Sequence, residues 1–371
     1  MKIIIALLFL SFAHVANAIE LYQQGPSARS LAMGGTYISF VRGADALFHN
    51  PAALTRVEGF DFIIAQAQGA YSKDAKRFAD QAQNNGTPLT LTDLNKFYGL
   101  NSFADLTART GFVMPYFGVG FYSSNYILES FNNPPFPTFK ATFISDYGYF
   151  IAGAVPIGPK ASFGFSGRHV KRWGGTKDIP VTDLVGSTDR TVLENNFQDK
   201  GSGNAIDLSA MVTLPFKLDT TVAAVWKDLG RTTFSQTAGT QAPPSQAENL
   251  MFGVSVQHDV SIANFTHAIE YKFVTTPNED FSKKIHLGTE ASFGLIDLRA
   301  GLNQGYLTYG AGIDLWFIEA DAAFYTSELA DAAGQLKNDR EVYSLTLRLD
   351  FDQSFKLKDM DGRKRRLKQR R

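Results

Sequence analysis

The chain has 371 residues, a formal net charge of zero and no cysteine. The lack of cysteine excludes disulfides and thiolate catalysis. Although 44% of the residues are hydrophobic, no stretch beyond the first residues approaches twenty continuous apolar residues. The sequence therefore excludes membrane-spanning helices in that part of the chain.

The first eighteen residues have the features of a secretory signal peptide. Lys2 gives a positive start, Ile3 to Val15 is an apolar run, and Ala16-Asn17-Ala18 is a small-x-small cleavage site. A transmembrane anchor is the alternative, but the apolar run is too short to span a bilayer. We predict that residues 1–18 are removed and that the mature chain is exported.

The next segment, residues 19–58, contains several backbone signals ahead of the first strand. Gly34-Gly35 permits a turn or a close approach to another backbone. Asn50-Pro51 ends the short apolar turn before it and places proline at the first position of a further helical turn. A plug that only fills a larger structure and a gate are both compatible with these signals. The candidate gate residues are Gly34, Gly35, Arg42, Asp45, Asn50, Pro51 and Ala52.

From Gly59 onward, apolar and polar residues alternate with a period of two. In the last such segment, Leu345 and Leu347 alternate with Thr346 and Arg348. A helix does not sustain this pattern, whereas a strand with one wet face and one apolar face requires it. About fourteen such segments follow one another, and most have roughly 10 to 15 residues, the length of a tilted membrane-crossing strand.

The connections between these segments alternate in length. Pro115-Tyr116-Phe117 and Pro215-Phe216 are tight turns, whereas Ser72–Asp105 and Gly174–Ser202 are long. Outer-membrane barrels have this habit, with the short turns in the periplasm. A soluble β-sandwich or propeller is the competing fold, but the many charges on the alternate face argue against a dry protein core. The sequence predicts an all-β, transmembrane antiparallel β-barrel of about fourteen strands over residues 59–355.

In such a barrel the apolar face meets lipid and the alternate face lines the lumen. The alternate face carries charges of both signs, which indicates either a self-neutralising network that holds barrel and plug together or an ion-selective lining. Carboxylates this dispersed do not form the acid–base pair of a hydrolase. The predicted lumen charges are Arg168, Asp207, Lys227, Glu270, Lys272, Glu290, Asp297, Arg299, Asp314, Glu319, Asp321 and Arg348.

Catalytic and metal-binding patterns are weak. The six histidines have no metal-ligand spacing, and no G-x-S-x-G motif occurs. The glycine-rich segments lack the lysine-serine ending of a phosphate loop. We therefore expect a protein that is not an enzyme and that uses no metal or cofactor.

Two regions outside the predicted strands are candidates for binding. In the loop Glu129–Phe139, the side chains of Phe131, Phe136 and Phe139 would be exposed and form an apolar entrance patch, or would pack on the rim. The tail Lys356–Arg371 has nine Lys or Arg and a charge of about +7, which leaves the remaining mature chain near −8. We expect a disordered periplasmic tail, with an anionic partner or none and with no nucleic acid.

The N-terminal segment also resembles that of the FadL and PorV superfamily of outer-membrane β-barrels. The motif covers about a tenth of the chain, and its joint spacing is fairly specific. The residues that carry the resemblance are Ala28, Arg29, Leu31 to Gly35, Tyr37, Ala44 to Leu47 and Asn50 to Leu54.

The resemblance implies that the segment is a hatch inside the lumen. FadL-type relatives imply passive uptake of hydrophobic small molecules, such as long-chain fatty acids, by a protein of the Gram-negative outer membrane. The PorV branch implies instead a non-enzymatic scaffold or shuttle for protein secretion, with a secreted-protein partner. Either way, we expect a monomer surrounded by outer-membrane lipid and inserted by the barrel-assembly machinery.

Overall fold

The structure is a computed structural model that describes residues 20, 25–81, 90, 95–132, 138–184, 196–260, 262–276 and 279–351. The predicted signal peptide, the basic tail and Phe136 lie outside these residues. Strands account for most of the described chain, and short helices occur before and between them.

The period-two segments form strands close to their predicted positions. The strands are β1 (Phe60–Ser72), β2 (Asn101–Met114), β3 (Phe117–Asn132), β4 (Thr138–Ile157), β5 (Ala161–Pro180), β6 (Lys200–Leu214), β7 (Asp219–Lys227), β8 (Ser235–Ala238), β9 (Asn249–Val260), β10 (Ala263–Tyr271), β11 (Ile285–Ser292), β12 (Ile296–Asn303), β13 (Tyr306–Leu315), β14 (Ile318–Glu328) and β15 (Lys337–Phe351). The α-helices are α1 (Ala28–Ala32), α2 (Ala46–His49), α3 (Lys73–Gln81), α4 (Val181–Leu184) and α5 (Phe281–Lys284), and 3-10 helices cover Gly43–Asp45, Pro51–Arg56 and Asn95–Phe97.

Fourteen of these strands form one closed antiparallel ring. Each pairs with its neighbours in sequence, except that β7 pairs directly with β9, and β8 pairs only with the start of β6. The ring closes where β1 meets β15, with Phe60 opposite Phe351 and Ser72 opposite Arg340. The predicted all-β antiparallel barrel of about fourteen strands is confirmed.

One predicted strand is interrupted. We predict a single strand from Lys217 to Phe234, but β7 ends at Lys227. Asp228 and Arg231 both have positive φ, 52° and 68°, a conformation that breaks a β ladder. The chain leaves the ring there and forms the separate strand β8.

The ring has two different ends, which we name by their connections. At the short-turn end, residues such as Pro115-Tyr116 and Trp316-Phe317 join adjacent strands, and β1 begins and β15 ends there. At the long-loop end the connections include residues 73–100 and 181–199. The predicted alternation of short and long connections is therefore present, with the tight turn Gln304-Gly305 as an exception at the long-loop end.

The faces of the strands are inverted relative to a water-soluble protein. In β12, Ile296 and Leu298 are 50% and 52% exposed, whereas Asp297 and Arg299 are 4% and 5% exposed. Apolar side chains on an outer surface and charged ones inside suit a barrel that is surrounded by lipid. Across the residues described, no helix combines the length and the apolar character needed to cross a bilayer.

The N-terminal segment contacts inner faces on opposite sides of the ring. Helix α1 packs against β12, β13, β14 and β15, while Pro51–Arg56 packs against β4, β5 and β6. Several contacts depend on glycine in the wall: a Cβ atom at Gly164 would overlap the Ala52 amide nitrogen, and one at Gly301 would overlap the Gly34 amide nitrogen. Glycine in the wall thus lets two backbones touch.

Replacing Gly164 with alanine tests this packing. The added methyl group must displace either β5 or the helix Pro51–Arg56, so we expect Gly164→Ala to lower the free energy of unfolding by about 1–3 kcal/mol. Urea denaturation in lipid vesicles measures the change. Gly69→Ala is the matched control, because it also lies in a strand and its Cβ would meet no heavy atom within 4 Å. Equal stabilities for the two variants would contradict the close approach.

Candidate functional site

The turn at Gly34-Gly35 brings the N-terminal segment against the barrel wall. Both glycines have positive φ, 66° and 91°, which L side chains rarely adopt. A Cβ atom at Gly34 would overlap the carbonyl oxygens of Leu287 and Leu302. The Gly34 N–H donates to Thr308 Oγ1 at 3.0 Å. The turn is therefore fixed by its shape and by a hydrogen bond.

Two charged residues at the end of β10 bind the backbone of the same turn. Glu270 Oε1 accepts the N–H groups of Tyr37 and Ile38 at 2.5 and 2.7 Å. Lys272 Nζ donates to the Gly35 carbonyl and lies 3.5 Å from Glu270 Oε2. Both wall residues are buried. These buried charges have hydrogen-bonding partners in the segment, as burial requires.

Arg29 joins α1 to a cluster of carboxylates on β11, β12 and β14. Its Nε and Nη2 atoms donate to the two carboxylate oxygens of Glu290 at 2.8 and 2.6 Å. Glu290 also accepts from Arg299 Nε at 2.7 Å, and Arg299 reaches Asp297 and Asp321 at 2.8 and 2.5 Å. The segment thus contributes one of the two arginines in a five-residue network.

Arg348 is the centre of a second network at the short-turn end. It pairs with Asp61 at 2.8 Å, with Glu319 at 3.2 Å and with Asp45 of the segment at 3.3 Å. Asp61 Oδ2 also accepts the Ala44 N–H at 2.8 Å. The segment and the wall therefore share this network too.

Arg168 forms a third network, on the opposite side of the ring. It pairs with Asp207 at 3.0 Å and with Asp228 at 2.8 Å. On β7, Lys227 Nζ donates to the Phe48 carbonyl at 2.8 Å. Here too a wall cation holds the backbone of the segment.

Asn50 links two parts of the segment. Its Nδ2 donates to the Ile38 carbonyl at 2.7 Å, and its Oδ1 accepts the Ala52 N–H at 3.0 Å. The Ala52 N–H also donates to Ser209 Oγ of the wall at 2.9 Å. Pro51 is the first residue of the 3-10 helix that follows. Asn50 is fully buried, so the nitrogen and the oxygen of its side-chain amide both depend on these partners.

The remaining predicted gate residue, Arg42, and the remaining predicted lumen charge, Asp314, lie near the short-turn end. Arg42 Nη2 donates to Gln257 Oε1 at 3.1 Å. Asp314 is half-buried and lies opposite Glu319 in the ladder between β13 and β14. The inner face thus brings the predicted lumen charges into several groups rather than one.

Cavities border the N-terminal segment at both ends of the ring. One of about 70 Å³ lies at the long-loop end, and one of about 110 Å³ lies at the short-turn end. Leu31 and Gly35 line the first, while Arg29 and Tyr37 line the second. Residues 29–37 therefore stand between the two cavities.

Sequence reasoning missed several inner-face residues. Asp61 is the second residue of β1, Arg109 lies in β2, and Arg340 lies in β15, where it pairs with Glu20. Arg109 donates to the Gly25 carbonyl, and its guanidinium carbon lies 5.2 Å from the centre of the Phe48 ring. Their place in the period-two alternation is the signal that marks these strand residues.

His49 in α2 is a further missed residue. It is buried and packs edge-on against Tyr37, with ring centres 4.9 Å apart. Burial, followed by the positive charges of Lys227, Arg109 and Lys272, holds the pKa of His49 well below its usual value. The imidazole is therefore neutral at pH 7.

The predicted exposure of Phe131 and Phe139 is wrong. They are 1% and 8% exposed and belong to a buried cluster with Phe97, Ile179 and Phe197. The strands β3 and β4 extend further than the sequence indicates, so both residues pair within the β3–β4 hairpin and pack against neighbouring connections. Both rings are therefore packed against the rim, which is the second of the two possibilities that the sequence allows.

Comparison with known proteins adds the fold type. No protein-family model and no curated protein matches the sequence. Among solved structures, the CymD monoaromatic hydrocarbon channel has a TM-score of 0.54 at 11% identity, covering 88% of this chain and 98% of that one. A deltaS2S3 mutant of the TodX monoaromatic hydrocarbon channel has a TM-score of 0.51 at 13% identity, with coverage of 87% and 97%. The P. putida toluene transporter TodX has 0.50 at 12% identity, with coverage of 88% and 98%.

These similarities span nearly the whole barrel. Because few residues are identical, they establish the fold alone. They agree with the resemblance in residues 28–54. The chain shares the fold of these hydrocarbon channels and of the toluene transporter.

Proposed function

We propose that this protein is a passive outer-membrane channel for hydrophobic small molecules, such as long-chain fatty acids, and that residues 19–58 are its hatch inside the lumen. In this proposal a monomeric barrel is inserted by the barrel-assembly machinery after its signal peptide is removed. It uses no cofactor and catalyses no reaction.

The observation that carries the proposal is the position of residues 29–37 between the two cavities. Leu31 and Gly35 border the long-loop cavity, and Arg29 and Tyr37 border the short-turn cavity. A small displacement of this turn would join the two spaces. All contacts that fix the turn are noncovalent, so such a displacement breaks hydrogen bonds and ion pairs but no covalent bond.

The linings of the cavities suggest the order of events. Phe103, Phe273 and Tyr325 contribute to the long-loop cavity, which suits an apolar ligand. The short-turn cavity is bordered by charged side chains, including Asp45 and Arg348. An apolar molecule therefore enters from the loops, and movement of the hatch around Asn50-Pro51-Ala52 opens a route onward.

The wall of the barrel offers one such route. The ladders of β1 with β15 and with β2 both shift register between Ile63 and Gln66. Ile64 in this stretch is 43% exposed on the outer surface. A bulge loosens pairing locally, and an apolar ligand leaving there avoids the charged cavity.

One prediction for the hatch concerns the bound ligand. Asn50→Ala removes the link from Asn50 to the Ile38 carbonyl, so the turn moves more easily and bound molecules escape. We expect wild-type barrel purified from outer membranes in mild detergent to carry apolar compounds, and Asn50→Ala and Pro51→Ala barrels to carry several-fold less. Mass spectrometry of extracted molecules measures this. An empty wild-type barrel that brings down secreted proteins instead would favour the secretion scaffold.

A second prediction concerns leakage. Asp45→Asn weakens the ion pair with Arg348 at 3.3 Å, which loosens the hatch, so we expect more frequent channel openings in planar bilayers. Arg42→Gln should act in the same direction. Lys177→Gln is the matched control, because it breaks an ion pair with Asp199 that does not touch the hatch. Conductance that rises equally in all three variants would argue against a hatch held by these residues.

A further inference from the structure

We propose that Arg340 and Tyr126 form a binding site for the carboxylate of an amphipathic ligand, and that Glu20 occupies this site when no ligand is bound. This inference rests on the proposed function and deepens it, because it selects apolar molecules with an acidic head over neutral hydrocarbons.

The geometry around Glu20 is that of a carboxylate receptor. Arg340 directs Nη1 and Nη2 at the two carboxylate oxygens of Glu20, with the Nη2–Oε2 distance at 3.0 Å. The Tyr126 hydroxyl donates to Oε2 at 2.6 Å, and Ser327 borders the same cavity. A two-pronged guanidinium with an added hydroxyl donor is the arrangement by which proteins recognise carboxylates.

The receptor belongs to the rigid wall, whereas the carboxylate belongs to the N-terminal part of the chain. Arg340 lies in β15 and Tyr126 in β3. Arg340 Nε donates to Asn338 Oδ1 at 2.7 Å, and its guanidinium carbon lies 3.6 Å from the centre of the Phe103 ring. These contacts hold the guanidinium in place independently of Glu20.

An apolar space adjoins the receptor. The long-loop cavity of about 70 Å³ is bordered by Arg340 and Tyr126, and also by Leu31, Phe103 and Phe273. A ligand with its carboxylate on Arg340 would place its first apolar atoms against these side chains. The site thus offers both halves of an amphipathic acid a matching surface.

Charge balance makes the exchange selective. The Arg340 side chain is 2% exposed, so departure of Glu20 leaves two buried donors without partners unless another carboxylate replaces it. The neighbouring carboxylate of Asp105 accepts from Thr107 at 2.8 Å and from Ser124 at 3.4 Å. A neutral hydrocarbon cannot balance the positive charge of Arg340 or accept its hydrogen bonds, whereas the carboxylate of an acidic ligand can.

The test compares octanoate with 1-octanol, which share a tail and differ in charge. Their affinities are measured by isothermal titration calorimetry on the full barrel in amphipol, with its native mature N-terminus. Glu20→Gln keeps the side-chain size but removes the competing charge, so we expect octanoate to bind about tenfold more tightly. The affinity for 1-octanol should change less than twofold. Arg340→Gln should abolish the preference for octanoate, and Tyr126→Phe should reduce it.

Controls separate this inference from other effects. Asp45→Asn loosens the segment away from Arg340, so it should change the affinities for both compounds by the same factor and leave the preference for octanoate unaltered. Heat-modifiable gel mobility verifies that each barrel is folded, and Tyr126→Phe supplies the answer if Arg340→Gln does not fold. Equal octanoate affinities in wild-type and Glu20→Gln would overturn the carboxylate site. In that case, binding of 1-octanol by wild-type would leave the proposed channel standing, whereas absence of any binding would refute both.

Discussion

The structure depends on the need of each buried charge for a partner. The inner wall carries Glu270, Lys272 and Glu290 almost without solvent contact, and an uncompensated charge in such a place costs several kcal/mol. The N-terminal segment supplies backbone N–H groups, a backbone carbonyl and Arg29 to these residues. Wall and segment therefore form one electrostatic unit, and neither is complete without the other.

A second constraint acts on the outside. The closed antiparallel ring leaves no unpaired strand edge, so backbone groups are satisfied even where the surface is apolar. This allows residues such as Ile151, Phe165 and Leu307 to be exposed by half or more on the outer face. With no cysteine available, the ring itself and the inner networks carry the stabilisation that disulfides supply in other exported proteins.

Most of the fold could be predicted because period two is a local property. The sequence predicts a strand at Gly118–Leu128, and β3 covers Phe117–Asn132. The break after Lys227 was missed although the sequence carries a signal for it, since Lys227-Asp228 and Gly230-Arg231 interrupt the alternation. Burial of Phe131 also escaped prediction, because it depends on how far the β3–β4 hairpin extends and on what packs over it.

The sequence predicts which side chains face inward at the candidate site, but not which of their charges pair. Alternation marks Arg299 and Arg348 as inward-facing, and the glycine pair marks the turn. Which charges meet depends on ring closure: Arg29 and Glu290 lie 261 residues apart, and Arg348 and Asp61 lie 287 apart. Glu20 carries no local signal at all, because only the position of Arg340 gives it a role.

The seam between β1 and β15 has a consequence for assembly. Helix α1 contacts β12 to β15, on one side of the seam, while Pro51–Arg56 contacts β4 to β6, on the other side. The last strand of the ring is also the last strand of the described chain, so the ring closes only after every other strand is available. Because the contacts of the N-terminal segment lie on both sides of the seam, we expect its docking and the closing of the seam to depend on each other.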